Sequence, residues 1–259
     1  MTEHSFAICA YKESPYLEEC ILSLLGQTVK SDMYIATSTP NGHISALAEK
    51  YGLEVYVNEG ETGIAGDWNY ALSRANSRYV TIAHQDDIYL PKYTETMLRC
   101  MKKYKNPIIF SSNYGEKRGD KTVTSNTLLN IKKVLRIPMR MFPGGIKARR
   151  LSLAFGDSIC CPSVTYVTDI IKDNPFVAGM KANLDWQQWE KLSKLEGAFA
   201  YSNKVLMLHR IHEGSETSNV IGETGRSGED YEMFSKFHGR FMTGVLTKFY
   251  SKSEKSNNL

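Results

Sequence analysis

The chain has 259 residues, of which 42% are hydrophobic and 23% charged, with a formal net charge of +4. That is long enough for one large α/β domain with appended segments, ordinary for a soluble globular protein, and too mildly charged to point to nucleic acid. No apolar run approaches the ~20 residues of a spanning helix, and the five cysteines lack Cys-x-x-Cys spacing, which predicts reduced, mostly buried thiols. Met1 to Ser5 lead straight into a strand without a basic start and an apolar stretch, so a cytoplasmic protein without a signal peptide is expected.

Phe6 to Ala10 reads as the first strand. Ser14 as N-cap and Pro15 at the first helical position predict a helix whose buried stripe is Leu17, Ile21, Leu24 and Leu25. The turn between them has neither Gly-x-Gly-x-x-Gly nor Gly-Lys-Ser/Thr, which argues against a nicotinamide site or a phosphate loop. Tyr11 there either stacks on a flat base or packs on the strand end. Strands over Met33–Ala36 and Leu53–Val57 follow, with helices over Ile44–Tyr51 and Asp67–Ala75 and a glycine-containing loop, Asn58 to Gly66. This β-α alternation predicts a mostly parallel sheet with right-handed crossovers.

Tyr79 to Ala83 is a short β-branched strand that breaks into His84, Gln85, Asp86 and Asp87. The next helix carries Tyr93, Met97, Cys100, Met101 and Tyr104 on one stripe. Open α/β sheets bind ligands at such strand ends. Two carboxylates there either cap the helix or offer hard oxygens to Mg²⁺ or Mn²⁺ on a diphosphate. Adjacent side chains of an extended chain point opposite ways, so one of Asp86 and Asp87 is expected to meet the ligand and the other to orient or cap.

After a strand at Ile108–Ser111, the run from Lys121 to Gly156 holds no acidic residue. Its Lys121, Lys132, Lys133, Arg136, Arg140, Lys147, Arg149 and Arg150 interleave with Leu128, Leu129, Ile131, Val134, Leu135 and Ile137. This basic amphipathic segment is either a solvated helix face against the core or a surface for anionic groups, such as a membrane or a lipid phosphate. Strands are expected over Ser163–Val167, Ala198–Tyr201 and Val205–Ile211, with a helix opening at Asn183 and capped by Asp185. Glu213 to Gly228 reads as a loop long enough to be a lid, and Tyr231–Phe249 as one amphipathic helix.

Four segments in this order carry a resemblance. They are Ala10-Tyr11 with a helix ending Ser23-Leu24-Leu25-Gly26-Gln27-Thr28; Gly66-Asp67-Trp68-Asn69-Tyr70-Ala71-Leu72; His84-Gln85-Asp86-Asp87; and Leu184-Asp185-Trp186 with Arg210-Ile211-His212. Together they resemble the family-two glycosyltransferases of the GT-A fold over roughly residues 5 to 215. The resemblance implies a Rossmann-like α/β sheet, mostly parallel and flanked by helices, with a C-terminal helical extension. It divides the chain into a nucleotide-sugar half (1–112), an acceptor and catalytic half (113–228) and a C-terminal helix and tail (229–259).

The activity so implied is inverting transfer of a sugar from a nucleoside diphosphate donor, with UDP favoured, to a glycan or lipid-linked acceptor hydroxyl. Asp185 would be the catalytic base. Asp86, Asp87 and His212 would hold Mn²⁺ or Mg²⁺ on the diphosphate. Ala10, Tyr11, Glu13, Thr37, Asp67, His84, Gln85 and Asp86 would line the nucleotide, and Arg210 would pair with phosphate or a nearby carboxylate. The chain departs from the family at His84, where the first Asp of Asp-x-Asp stands, at Thr37-Ser38, where an Asp reads the uracil, and at Lys12, where an Asn follows the tyrosine. A nucleotide-sugar-binding protein with a decayed site is the alternative these departures suggest. The enzyme would work in the cytoplasm, at the inner face of the membrane if residues 121–156 dock there.

Overall fold

The computed structural model describes residues 2–212 and 226–255. The stretch 213–225, which holds most of the expected lid, lies outside the described residues.

The first half alternates as expected: β1 (His4–Cys9), α1 (Leu17–Leu25), β2 (Asp32–Thr37), α2 (Gly42–Tyr51), β3 (Glu54–Val57), α3 (Ile64–Ser73) and β4 (Tyr79–His84). β1 pairs in parallel with both β2 and β4, and β2 with β3, so the chain first winds one way from β1 and then crosses to its other side. That reversal makes the carboxyl ends of β1 and β4 the switch point where such sheets open a crevice.

The remaining elements are β5 (Ile88–Tyr89), α4 (Tyr93–Met101), β6 (Pro107–Arg118), β7 (Lys121–Val123), α5 (Thr127–Leu135), α6 (Ile137–Met141), α7 (Ile146–Leu153), β8 (Thr165–Val167), α8 (Thr168–Asp173), α9 (Leu184–Leu192), β9 (Ala198–Ile211), α10 (Arg226–Ser235) and α11 (Arg240–Lys255). The sheet runs β3-β2-β1-β4-β8-β6-β9-β5, with β7 on β6. β8 is antiparallel to both β4 and β6, while β6 and β9 are parallel to each other, so β1–β4, β6 and β9 all point one way.

Alternate residues of β1 feed opposite layers. Phe6 and Ile8 join Leu17, Ile21 and Leu24 of α1 and Met97 of α4. Ala7 faces the other layer, with Leu72 of α3, Trp186 and Trp189 of α9, and Phe234 of α10. All five cysteines are free and none is fully exposed. Among the described residues no helix is long and apolar enough to cross a membrane.

Several local expectations are corrected. α1 starts at Leu17, and Ser14 instead closes a turn, its hydroxyl accepting from Tyr16 N–H at 3.3 Å. α3 starts at Ile64, not Asp67, which puts Asp67 in its first turn. Asp185 does not cap α9; the cap position is Asn183, and the Asp185 carboxylate accepts its neighbour Trp186 N–H at 2.8 Å. β6 extends to Arg118 because the two strands expected after residue 198 merge into one long β9 that pairs along it, with register shifts near Asn113. Cys161–Ser163 is a short 3₁₀ turn before β8. The single helix expected over 231–249 is two, broken before Gly239, where His238 Nε2 meets the Ala154 carbonyl at 2.6 Å.

The basic segment is three short helices rather than one face. Pro138 and the Pro143-Gly144-Gly145 stretch interrupt it. Arg136 and Arg149 are buried. Arg136 donates to Ser112 O at 3.1 Å and Asn113 Oδ1 at 2.8 Å. Arg149 donates to Gly197 O at 2.5 Å and Leu195 O at 2.6 Å, with its guanidinium over the Phe199 ring. Arg150 pairs with Glu190 at 2.5 Å. Much of this charge therefore satisfies buried carbonyls and a carboxylate.

Candidate active site

The carboxyl ends of β1, β2 and β4 open onto a cavity of about 840 Å³, closed on its far side by residues of α5, α9, the β9 end and Tyr250 of α11. Backbone hydrogen bonding fixes the near rim. Tyr11 N–H donates to Gln85 Oε1 at 3.0 Å and Gln85 Nε2 returns a bond to Tyr11 O at 3.1 Å, so one side-chain amide ties the two strand ends together. Lys12, the one non-glycine with positive φ (55°) among the described residues, follows, its N–H held by Thr39 Oγ1 at 2.6 Å. Such strain persists only where the surroundings impose it.

Asp67 is set in the cavity wall. Its carboxylate accepts from Ser38 Oγ at 2.9 Å and Asn58 Nδ2 at 2.8 Å. Behind the β4 end, Asp87 is fully buried, and its Oδ1 accepts from Arg210 N–H at 2.9 Å and meets His209 Nδ1 at 3.0 Å. Burial alone would push His209 down, but the Asp87 carboxylate and then Asp86 outweigh it and the net shift is upward. Asp86 faces the cavity, with His212 Nε2 at 3.0 Å from its Oδ2. These contacts bridge over a hundred residues of sequence because β5 pairs antiparallel with β9, Ile88 opposite Leu208.

The chemistry of this cluster fits a divalent cation. His84, Asp86 and Asp87 each offer a ligand atom, all within 4.8 Å of one another. Asp87 Oδ2 and His84 Nε2 are buried without a hydrogen-bond partner among the described residues, a cost that a cation on the cluster would offset. Trp68 stacks on the His84 ring at 5.2 Å and fixes its plane.

The cavity brings together Ala10, Tyr11, Asp67, His84, Gln85, Asp86, Asp185 and His212. Four expected residues stand elsewhere. Glu13 is exposed outside the lining, and Thr37 is buried, its hydroxyl held by Thr39 N–H, so that Ser38 and Thr39 line the wall in its place. Asp87 lies behind Asp86. Arg210 turns its guanidinium to Glu19, to the Asp86 carbonyl at 2.8 Å and over the Tyr16 ring. Residues the sequence reading passed over also line the cavity, among them Asp157, Lys181 and Tyr250. Asp157 carried one signal: it is the first acidic residue after the acid-free run.

The sequence pattern described as Glycosyl transferase family 2 matches residues 5–166. The chain belongs to that family. No curated protein matches it in sequence. Among solved structures, Staphylococcus aureus TarS in complex with UDP-GlcNAc is 17% identical with a TM-score of 0.62, over 90% of this chain and 64% of that one. Mannosyltransferase PcManGT from Pyrobaculum calidifontis, in complex with GDP-Man and Mn²⁺, is 13% identical with a TM-score of 0.66, over 90% and 63%. Glucosyl-3-phosphoglycerate synthase from Mycobacterium tuberculosis, with Mn²⁺ and UDP-glucose, is 15% identical with a TM-score of 0.58, over 90% and 78%. The chain thus spans less than two thirds of the TarS and PcManGT chains, and shares with all three the GT-A fold.

Proposed function

We propose that this family member is a metal-dependent, inverting glycosyltransferase that moves a sugar from a nucleoside diphosphate, UDP in the first instance, to a hydroxyl of a glycan or lipid-linked acceptor. The observation that carries the reading is that a single cavity is lined by the His84–Asp86 cation cluster and by Asp185. Ser38, Asp67 and Tyr11 would take the nucleoside. A divalent ion held by Asp86, Asp87 and His84, with His212 on Asp86, would offset charge on the departing diphosphate. Asp185 would take the proton of the acceptor hydroxyl as its oxygen attacks the anomeric carbon, a contribution of about 10²–10⁴-fold. Arg210 acts through Asp86, bracing its carbonyl.

The acceptor side favours a lipid-linked substrate at an anionic surface. Val134, Met141 and Phe142 are 62%, 65% and 62% exposed on α5 and the α6 end, near the basic Lys133, Arg140 and Lys147. Apolar side chains rimmed by cations suit anionic headgroups. Leu128 of α5 belongs both to the exposed apolar set and to the cavity wall. Nucleotide release from a panel of UDP- and GDP-sugars tests the transferase reading. Turnover of one donor, lost in Asp185→Asn with donor binding kept, supports it; binding of a donor without turnover under any condition supports a decayed site instead.

A further inference from the structure

The residues that lead into Asp185 have no regular structure of their own: 174–183 run between α8 and α9 without helix or strand. Their start is tied down by Asn69 of α3, which exchanges hydrogen bonds with the Phe176 backbone at 2.9 and 2.8 Å. Their end is held by Glu229, in the first turn of α10. One Glu229 oxygen accepts Lys181 N–H at 2.8 Å, and the other accepts Ala182 N–H at 2.9 Å and Asn183 N–H at 3.0 Å. Next to it, the buried Asp230 accepts from the Asn183 side-chain amide at 2.8 Å. Three consecutive backbone donors on one carboxylate make a charge-assisted clasp, each bond stronger than its neutral counterpart.

We propose that Glu229 is a positioning residue for the transfer: its carboxylate, reaching from α10, sets the backbone of 181–183 and so aims Asp185 at the acceptor hydroxyl. The inference rests on the transferase reading, with Asp185 as base. In the reaction the acceptor oxygen loses its proton to Asp185 and bonds to the anomeric carbon, while the bond to the diphosphate breaks and its electron pair leaves with phosphate. Glu229 stands outside the cavity lining and exchanges no proton.

The aim of Asp185 depends on such a clasp. Lys181 to Asp185 all line the cavity, so a shift of this backbone moves the base directly. Beyond Asp185 the chain is fixed: Trp186 is fully buried, and its indole N–H donates to Leu153 O at 3.0 Å. Before it, Asn183 stands at the cap position of α9 but makes no side-chain cap. The Glu229 carboxylate serves there instead, at a helix end that favours an anion. A glutamine could not replace it, because its amide offers one acceptor oxygen where two are used and turns N–H toward N–H. Tyr11, Ser38, Asp67 and Asp86, proposed to hold nucleotide and metal, sit at the ends of β1, β2 and β4 and on α3, away from α10 in the chain and free of bonds to Glu229.

The test has two readouts. Amide hydrogen exchange should show Lys181, Ala182 and Asn183 protected in wild type and exchanging about tenfold faster or more in Glu229→Gln, with the α9 amides unchanged; equal exchange in the two proteins overturns the proposal without activity being measured. In nucleotide release from the best donor of a UDP- and GDP-sugar panel, Glu229→Gln and Glu229→Ala should each lower kcat about tenfold or more, with donor KM within about twofold. In an Asp185→Asn background, Glu229→Gln should lower the residual rate by less than about twofold, because the two residues act as one unit. An unchanged kcat, a donor KM that rises as much as kcat falls, or a full additional loss in Asp185→Asn overturns the positioning role and leaves the transferase reading intact. No turnover of any donor by the wild-type protein overturns the transferase reading, and the role of Glu229 in it.

Discussion

Gly66→Ala is the sharpest mechanical test of the cavity wall that carries Asp67. Gly66 sits in the first turn of α3, and a Cβ there would lie 2.2 Å from the Glu61 carbonyl oxygen and 2.8 Å from its carbon. An ordinary contact begins near 3.4 Å, so helix and loop must part by about 1 Å, and both neighbours are backbone with no rotamer to give. The same Glu61 carbonyl accepts Asn58 Nδ2 at 2.7 Å, and Asn58 also holds Asp67 at 2.8 Å. The displacement therefore passes straight to Asp67. Overpacking of this kind costs ~1–3 kcal/mol of stability, and a misplacement of about 1 Å costs up to 10²-fold in function. Thermal unfolding and calorimetric UDP titration should show a Tm lowered by several degrees and an affinity reduced at least tenfold. Wild-type Tm and Kd in Gly66→Ala would refute the argument that this close approach shapes the site.

Other expectations are independent of that wall. Arg149→Met leaves the Gly197 and Leu195 carbonyls unpaired and should cost about 3 kcal/mol in denaturant unfolding; Arg149→Lys should rescue little, because one ammonium cannot reproduce the fork. His4 is buried between Ser31 and Thr81, and burial pushes it down to about 3 from 6.5. Its neutral form is the folded one, so its stability contribution is full above about pH 6.5 and is lost at up to about 1.4 kcal/mol per pH unit as pH falls from there towards 3. His4→Asn should flatten that acid slope relative to wild type, and equal slopes would count against it. Liposomes carrying anionic lipid, as a cytoplasmic leaflet does, should retain the wild-type protein more than neutral ones do, and Met141→Asp with Phe142→Asp should abolish the difference; equal partitioning removes the membrane reading.

The β1–β4 part of the sheet was legible because its signals are local. Apolar runs at Phe6–Ala10 and Tyr79–Ala83, each broken by polar residues, point to two strands, and the cavity opens at their ends. What the sequence did not reveal depends on distant pairing. β6 and β9 are long because each completes the other, and no window of either chain segment contains that fact. The basic run looked uniform, yet Arg136 and Arg149 turn inward because carbonyls at Ser112, Leu195 and Gly197 need donors. Thr37 reads as a nucleoside contact, but the strand's alternation buries it and brings Ser38 to the cavity wall. Asp157 escaped because a lone acidic residue after a glycine carries no motif.

The proposed function stands on a metal-dependent nucleotide site at Asp86. Calorimetric titration of UDP, with GDP and dTDP as controls and with and without Mn²⁺, tests it most directly. UDP binding should require Mn²⁺ and disappear in Asp86→Ala. Binding of none of the three, or binding indifferent to Mn²⁺ and to Asp86→Ala, would contradict it.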